Sequence, residues 1–179
     1  IGVDFLDAPV TGGAEGAEAG TLQVMIGGDE KVLESVRPVL DAIAAEVTHF
    51  GPVGFGQRAK AVNQVLAAGM VQAISEALAF ADASGLDTDR LLPVLTGGAM
   101  GSRLLERRGA RMLAGDFEPG FRLSLHHKDL HLCRRLLQAL DVNLPLVEMT
   151  IKHYERLLEQ GLGDEDLSVL YQLKRALFV

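Results

Sequence analysis

Lys60, Asn63 and Gln64 are spaced three and four residues apart. On a helix that spacing gathers an ammonium and two amides on one face. From Ala61 to Ile74 the chain then carries no charged residue. A lysine at the start of such a helix meets the positive end of the helix dipole and apolar surroundings. Both lower an ammonium pKa, the direction a proton donor and acceptor working near neutrality needs. A lysine in the first turns of a helix can equally be a solvated surface residue; the uncharged stretch after it argues against that reading.

Three further stretches offer chemistry. Asp7-Ala8-Pro9-Val10-Thr11-Gly12-Gly13 runs from an apolar strand into a hydroxyl and two glycines. Successive backbone N–H groups in such a loop form a concavity that suits a carboxylate or phosphate, although the same residues also make ordinary turns. Gly54-Phe55-Gly56-Gln57-Arg58-Ala59 matches the dinucleotide pattern G-x-G-x-x-G/A, with Glu76 about twenty residues on. The helix it opens is too long for a dinucleotide unit, and a second helix follows where a parallel strand is required. These glycines are therefore read as a tight strand-to-helix turn. His126 and His127 are adjacent, and adjacent helical side chains do not face each other. The pairs His126/Asp129 and His127/His131 could reach one ion, but no H-E-x-x-H type of motif supports them, and no metal is expected. No nucleophile elbow or serine triad is present in the sequence.

The elements that must position these residues change character near residue 50. Before it, Phe5–Val10, Thr21–Ile26 and Glu46–Phe50 read as short strands, with Thr11–Gly16 a glycine-rich loop. Asp29 caps a helix over about 30–45, whose inner face is Val32, Val36, Leu40 and Ile43. After residue 56 the chain reads as helical to its end. A helix over Gln57–Ser84 stops at Gly85; Asp87 caps a short one ending at Thr96-Gly97-Gly98, and Ser102 caps another to Leu113. Three more span about 125–140, 144–160 and 165–178. The sequence thus predicts a small α/β piece, a long connecting helix and an all-α bundle. Leu157, Leu158, Leu162, Leu167 and Leu170 face several ways in that bundle and predict a partner surface.

Composition excludes several classes. Of 179 residues, 48% are apolar, enough for a sizeable core. Lys plus Arg number 17 against 24 Asp plus Glu, a formal charge of −7, with no basic cluster suited to nucleic acid. A single cysteine, Cys133, excludes an intramolecular disulfide. No uninterrupted apolar run approaches about 18 residues, so no membrane partner is expected. Ile1-Gly2-Val3-Asp4 lacks the basic start of a signal peptide, and a cytoplasmic location is expected. The chain opens on a strand without an initiator Met, as if from inside a fold.

Taken in order, Asp7–Gly13, Gly54–Gln64, Gly97-Gly98 with Ser102, and Phe121 through Lys128-Asp129-Leu130 resemble the β-hydroxyacid dehydrogenase family. That family includes 3-hydroxyisobutyrate dehydrogenase, tartronate semialdehyde reductase and, more distantly, 6-phosphogluconate dehydrogenase. The resemblance covers essentially the whole chain. It implies that residues 1–52 are the C-terminal portion of a Rossmann NAD(P)-binding domain. Residues 53–179 would be an all-α domain like the C-terminal domain of 6-phosphogluconate dehydrogenase, including the inter-domain helix and the contacts of a homodimer or homotetramer. The half carrying the true glycine fingerprint would precede Ile1, so the chain by itself is expected to be inactive.

The resemblance also implies roles. Lys60 matches the family's catalytic lysine. Thr11, Gly12 and Gly13 match the loop that holds the substrate carboxylate, where relatives more often carry Ser in place of Thr11. Asn63 and Gln64 match an amide pair that is commonly Asn-Asn, so which amide touches substrate stays open. Lys128 matches a lysine that reaches the NAD or NADP cofactor. The implied reaction interconverts a small 3-hydroxy acid and its semialdehyde, with the lysine as general acid/base. Decarboxylating relatives place a glutamate where this chain has Ala67, so no decarboxylation is expected. The alternative is a non-catalytic oligomerisation module built on the same helical domain.

Overall fold

A computed structural model describes residues 2–178. Contacts divide the chain into two units, residues 1–64 and 65–179. The division falls inside the long helix, whose first turns are bonded to the strands that precede it.

In the first unit, β3 (Leu22–Gly28) is the central strand. It pairs in parallel with β4 (Ala44–His49), with Val24 opposite Val47, across the intervening helix α2 (Glu30–Asp41). This β-α-β unit leaves Val24, Ile26 and Leu33 almost wholly buried, as expected for a strand covered on both faces. Antiparallel to β3 run β1 (Leu6–Asp7) and β2 (Val10–Thr11). The single strand expected over 5–10 is thus two short ones. Pro9 lies between them, lacks an N–H to donate, and accepts from the Met25 amide at 2.9 Å. Two further expectations are corrected. The segment read as a loop contains a short helix, α1 (Gly13–Glu18), where Ala14, Glu15, Ala17 and Glu18 outweigh the glycines. Asp29 does cap α2, accepting from Lys31 N at 2.7 Å. That helix nevertheless ends at Asp41, so its one fully buried residue is Leu33 and Ile43 is 48% exposed.

Helix α3 (Phe55–Ala83) crosses the division. It is long and apolar enough to cross a membrane by length and composition, which a search for uninterrupted apolar runs misses. Its buried residues Ala68, Val71, Leu78 and Ala79 belong to the core of the second unit. That core is completed by α5 (Arg103–Ala114), α6 (Leu123–Gln138), α7 (Pro145–Glu159) and α8 (Leu170–Arg175). Asp87 caps α4 (Thr88–Gly97), and Ser102 caps α5 through the Leu105 amide at 3.2 Å, as the sequence predicts. Leu157, Leu167 and Leu170 are buried within this unit and offer no partner surface, while Leu158 and Leu162 are partly buried against its core. Cys133 is buried on α6.

Asp166 ties the C-terminal segment to the bundle. Only 1% exposed, it accepts from Arg108 Nε at 2.7 Å and Nη2 at 2.9 Å, and from the amides of Gly120, Phe121 and Ser168 at 3.0 Å each. Burial would raise its pKa, but the Arg108 bonds and charge and the amide donors outweigh that and hold it below the usual carboxylate range.

Candidate active site

Gly54 has no side chain with which to cap the helix it precedes. Asp7, 47 residues earlier on β1, supplies the cap instead: its carboxylate accepts from Gly54 N at 2.6 Å and from Gln57 N at 2.8 Å. Two of the amides left unsatisfied at a helix start are thereby paired with a negative charge at the positive end of the dipole. The approach of helix to sheet is close enough to require glycine on both sides. A Cβ on Gly27 would lie 2.8 Å from the amide nitrogens of Phe55 and Gly56, and one on Gly56 would strike the Met25 carbonyl. Gly54 itself has φ 93°, a conformation that favours glycine.

This arrangement decides the fate of the dinucleotide pattern at Gly54–Ala59. The anion position at the helix start is filled by the protein's own carboxylate, so it does not fit a pyrophosphate. Glu76, which would have to meet the ribose, instead accepts from Lys174 Nζ at 2.8 Å.

The same anchoring sets Lys60. One turn beyond the capped amides, its Nζ donates to the Val10 carbonyl at 2.8 Å, on β2 and one residue before Thr11. Residues 50 positions apart are thus brought together. An ammonium has three protons and no acceptor, so the carbonyl orients the group without taking its charge. Thr11 remains in the ladder opposite Gln23. Gly12, with φ 138°, is the N-cap of α1, and no side chain caps that helix. Asn63 and Gln64 are coupled to each other, Asn63 Nδ2 donating to Gln64 Oε1 at 3.0 Å, and Gln64 is buried.

Lys128 lies in the second unit on α6. Its side chain is 65% exposed, and Nζ is 3.2 Å from Asp129 Oδ1. Neighbouring His126 is fully buried and bonds Tyr154 Oη through Nδ1 at 3.0 Å; burial pushes the Tyr154 hydroxyl pKa upward. His126 is thus a packed core residue rather than half of a metal pair with Asp129. Sequence reading gave Asp7 no role. Its signal is weak: a lone acid in an apolar strand, with glycines at 27 and 56.

Two family models match the chain. One, described as the NAD-binding region of NADP-dependent 3-hydroxyisobutyrate dehydrogenase, covers residues 54–174; the other, the NAD binding domain of 6-phosphogluconate dehydrogenase, covers residues 1–51. The chain is 42% identical over 172 residues to 2-hydroxy-3-oxopropionate reductase of Escherichia coli, spanning 96% of this chain and 59% of that protein. It is 35% identical to 2-(hydroxymethyl)glutarate dehydrogenase of Eubacterium barkeri, spanning 96% and 58%. A crystal structure of 3-hydroxyisobutyrate dehydrogenase from Salmonella typhimurium is 33% identical and superimposes with a TM-score of 0.86, covering 95% of this chain and 60% of that one. A Mycobacterium tuberculosis 3-hydroxyisobutyrate dehydrogenase with L-serine gives 35% identity and a TM-score of 0.84, covering 95% and 60%. The chain therefore spans about three-fifths of the length of these relatives. The matches extend over both units and over every motif singled out above, and they identify the chain as a member of the β-hydroxyacid dehydrogenase family.

Proposed function

We propose that this chain forms part of an NAD(P)-dependent oxidoreductase that interconverts a small 3-hydroxy acid and its semialdehyde, with Lys60 as the general acid/base. The observation that carries this reading is the fixed ammonium of Lys60, 2.8 Å from the Val10 carbonyl and beside the Thr11–Gly13 loop. The backbone N–H groups of that loop hold the substrate carboxylate, and the Asn63–Gln64 amide pair binds the rest of the acid. Lys128 offers an exposed ammonium to a polar group of the cofactor. The nicotinamide, when bound, supplies or accepts the hydride. Lys60 donates a proton to the oxygen on which negative charge develops during reduction and takes it back during oxidation. Holding acid and lysine in one geometry removes the entropy cost of bringing them together in the reacting step.

The test is steady-state kinetics on the whole protein with tartronate semialdehyde and 3-hydroxyisobutyrate. Lys60→Ala is expected to lower kcat at least about 10²-fold. A variant with normal turnover removes the role given to Lys60, and no turnover of any such acid by the unaltered protein favours the non-catalytic oligomerisation module. The alanine at position 67 offers no second acid, so oxidation is expected to release no carbon dioxide. Release stoichiometric with NAD(P)H formation overturns that part.

A further inference from the structure

The helical unit carries a side-chain cluster that the reaction proposed above does not use. On α6, His127 and His131 stand one turn apart, with their Nε2 atoms separated by 3.1 Å. Glu155 on α7 joins them: one potential ligand atom from each of the three residues lies within 4.8 Å of the other two. Both histidines are half-buried and the glutamate is exposed, so the cluster opens to solvent. Its two helices are held in register immediately alongside. The buried His126–Tyr154 bond of 3.0 Å joins the residue before His127 to the residue before Glu155.

We propose that His127, His131 and Glu155 form a binding site for a divalent transition-metal ion of the zinc class. Zinc binds imidazole nitrogen at about 2.0–2.1 Å and carboxylate oxygen at about 2.0–2.2 Å. Two nitrogens 3.1 Å apart, each at such a distance, subtend roughly 100° at the metal, between the octahedral and tetrahedral values. The rings meet edge to face at 84°, and the final torsion of histidine is soft enough to turn both lone pairs toward one point. Histidines four apart on one helix face are an established zinc-binding pair. Three protein ligands leave room for water. The nearby cations are compensated. Arg134 is paired with Glu148 at 2.8 and 2.6 Å, and Lys128 with Asp129.

The competing explanation is two imidazoles sharing one proton, with Glu155 a bystander. Titration of the tag-free chain with Zn²⁺ by calorimetry separates the two, supported by the visible absorption of Co²⁺ at the same site. One-to-one binding is expected, weakened at least about tenfold by His127→Gln and by His131→Gln, since even outer-shell changes cost about 10–100-fold. Glu155→Gln is expected to weaken it by a smaller factor. All three positions are at least partly exposed, so the variants should fold, and thermal unfolding without metal checks this. A zinc-dependent rise in Tm, present in the unaltered chain and absent from the histidine variants, is a second readout. Absence of binding by the unaltered chain overturns the site, as does an affinity indifferent to both histidine substitutions. Indifference to Glu155→Gln overturns the three-ligand form.

Discussion

Asp7 does for α3 what a capping serine usually does from the adjacent position, and its removal leaves the amides of Gly54 and Gln57 facing a site closed by β3. Asp7→Ala is expected to cost about 1–3 kcal/mol, the range for an orphaned buried donor, read as a lower midpoint in denaturant. Because the same contact sets the start of the helix bearing Lys60, the variant is also expected to lower kcat more than it raises KM. A stability loss with unchanged kcat confines Asp7 to structure. Asp7→Asn keeps one acceptor and should fall between the two. At this scale the sequence was legible where chemistry is local. Lys60, Asn63 and Gln64 share a face by spacing alone, and Gly54 with Gly56 announces a tight turn. The carboxylate that closes that turn was not legible, because its partners lie 47 and 50 residues away. No periodicity reports a contact of that kind. Nor does spacing reveal that Gly27 and Gly56 are glycines for the same reason, each leaving room for the other's backbone.

At the scale of elements, Asp166 shows how one residue can fasten several segments. It joins α5, the turn after it and the short 3₁₀ helix at Leu167–Val169 through Arg108 and three amides. Asp166→Asn leaves the largely buried Arg108 without its counter-charge and is expected to cost roughly 3–5 kcal/mol near neutral pH. The pH dependence follows from the lowered carboxylate pKa. Stabilisation is present above the pKa of the unfolded chain, near 3.9, and is lost as pH falls through the lower folded value. The difference between the two proteins should therefore shrink below about pH 4, and a difference that stays constant down to acid pH removes the ionic account. The capping residues Asp29, Asp87 and Ser102 were legible because each acts within three residues of its own helix. The break at Pro9 and the helix over Gly13–Glu18 were not. In the first a missing donor splits a strand, and in the second the glycines mask the helix propensity of the alanines and glutamates between them.

For the molecule as a whole, the order of motifs along the chain carried more information than any single one, which is why the family was legible while the sheet pairing was not. Three of the five leucines that the sequence suggested for a partner surface, Leu157, Leu167 and Leu170, are interior. Exposed apolar side chains lie elsewhere, with Leu66 and Phe80 of α3 each 62% exposed. A homodimer or homotetramer remains our expectation, and light scattering at micromolar concentration checks it; a monomer overturns it. Cys133, the only thiol in the chain, is 2% exposed on α6, and this has a practical consequence. A thiol-reactive dye can label it only when the surrounding helices part. In the limit where closing outpaces labelling, the labelling rate gives the free energy of that opening directly. The protein therefore carries its own reporter for the helical unit, usable without any engineered label and silent toward the strands that hold Lys60.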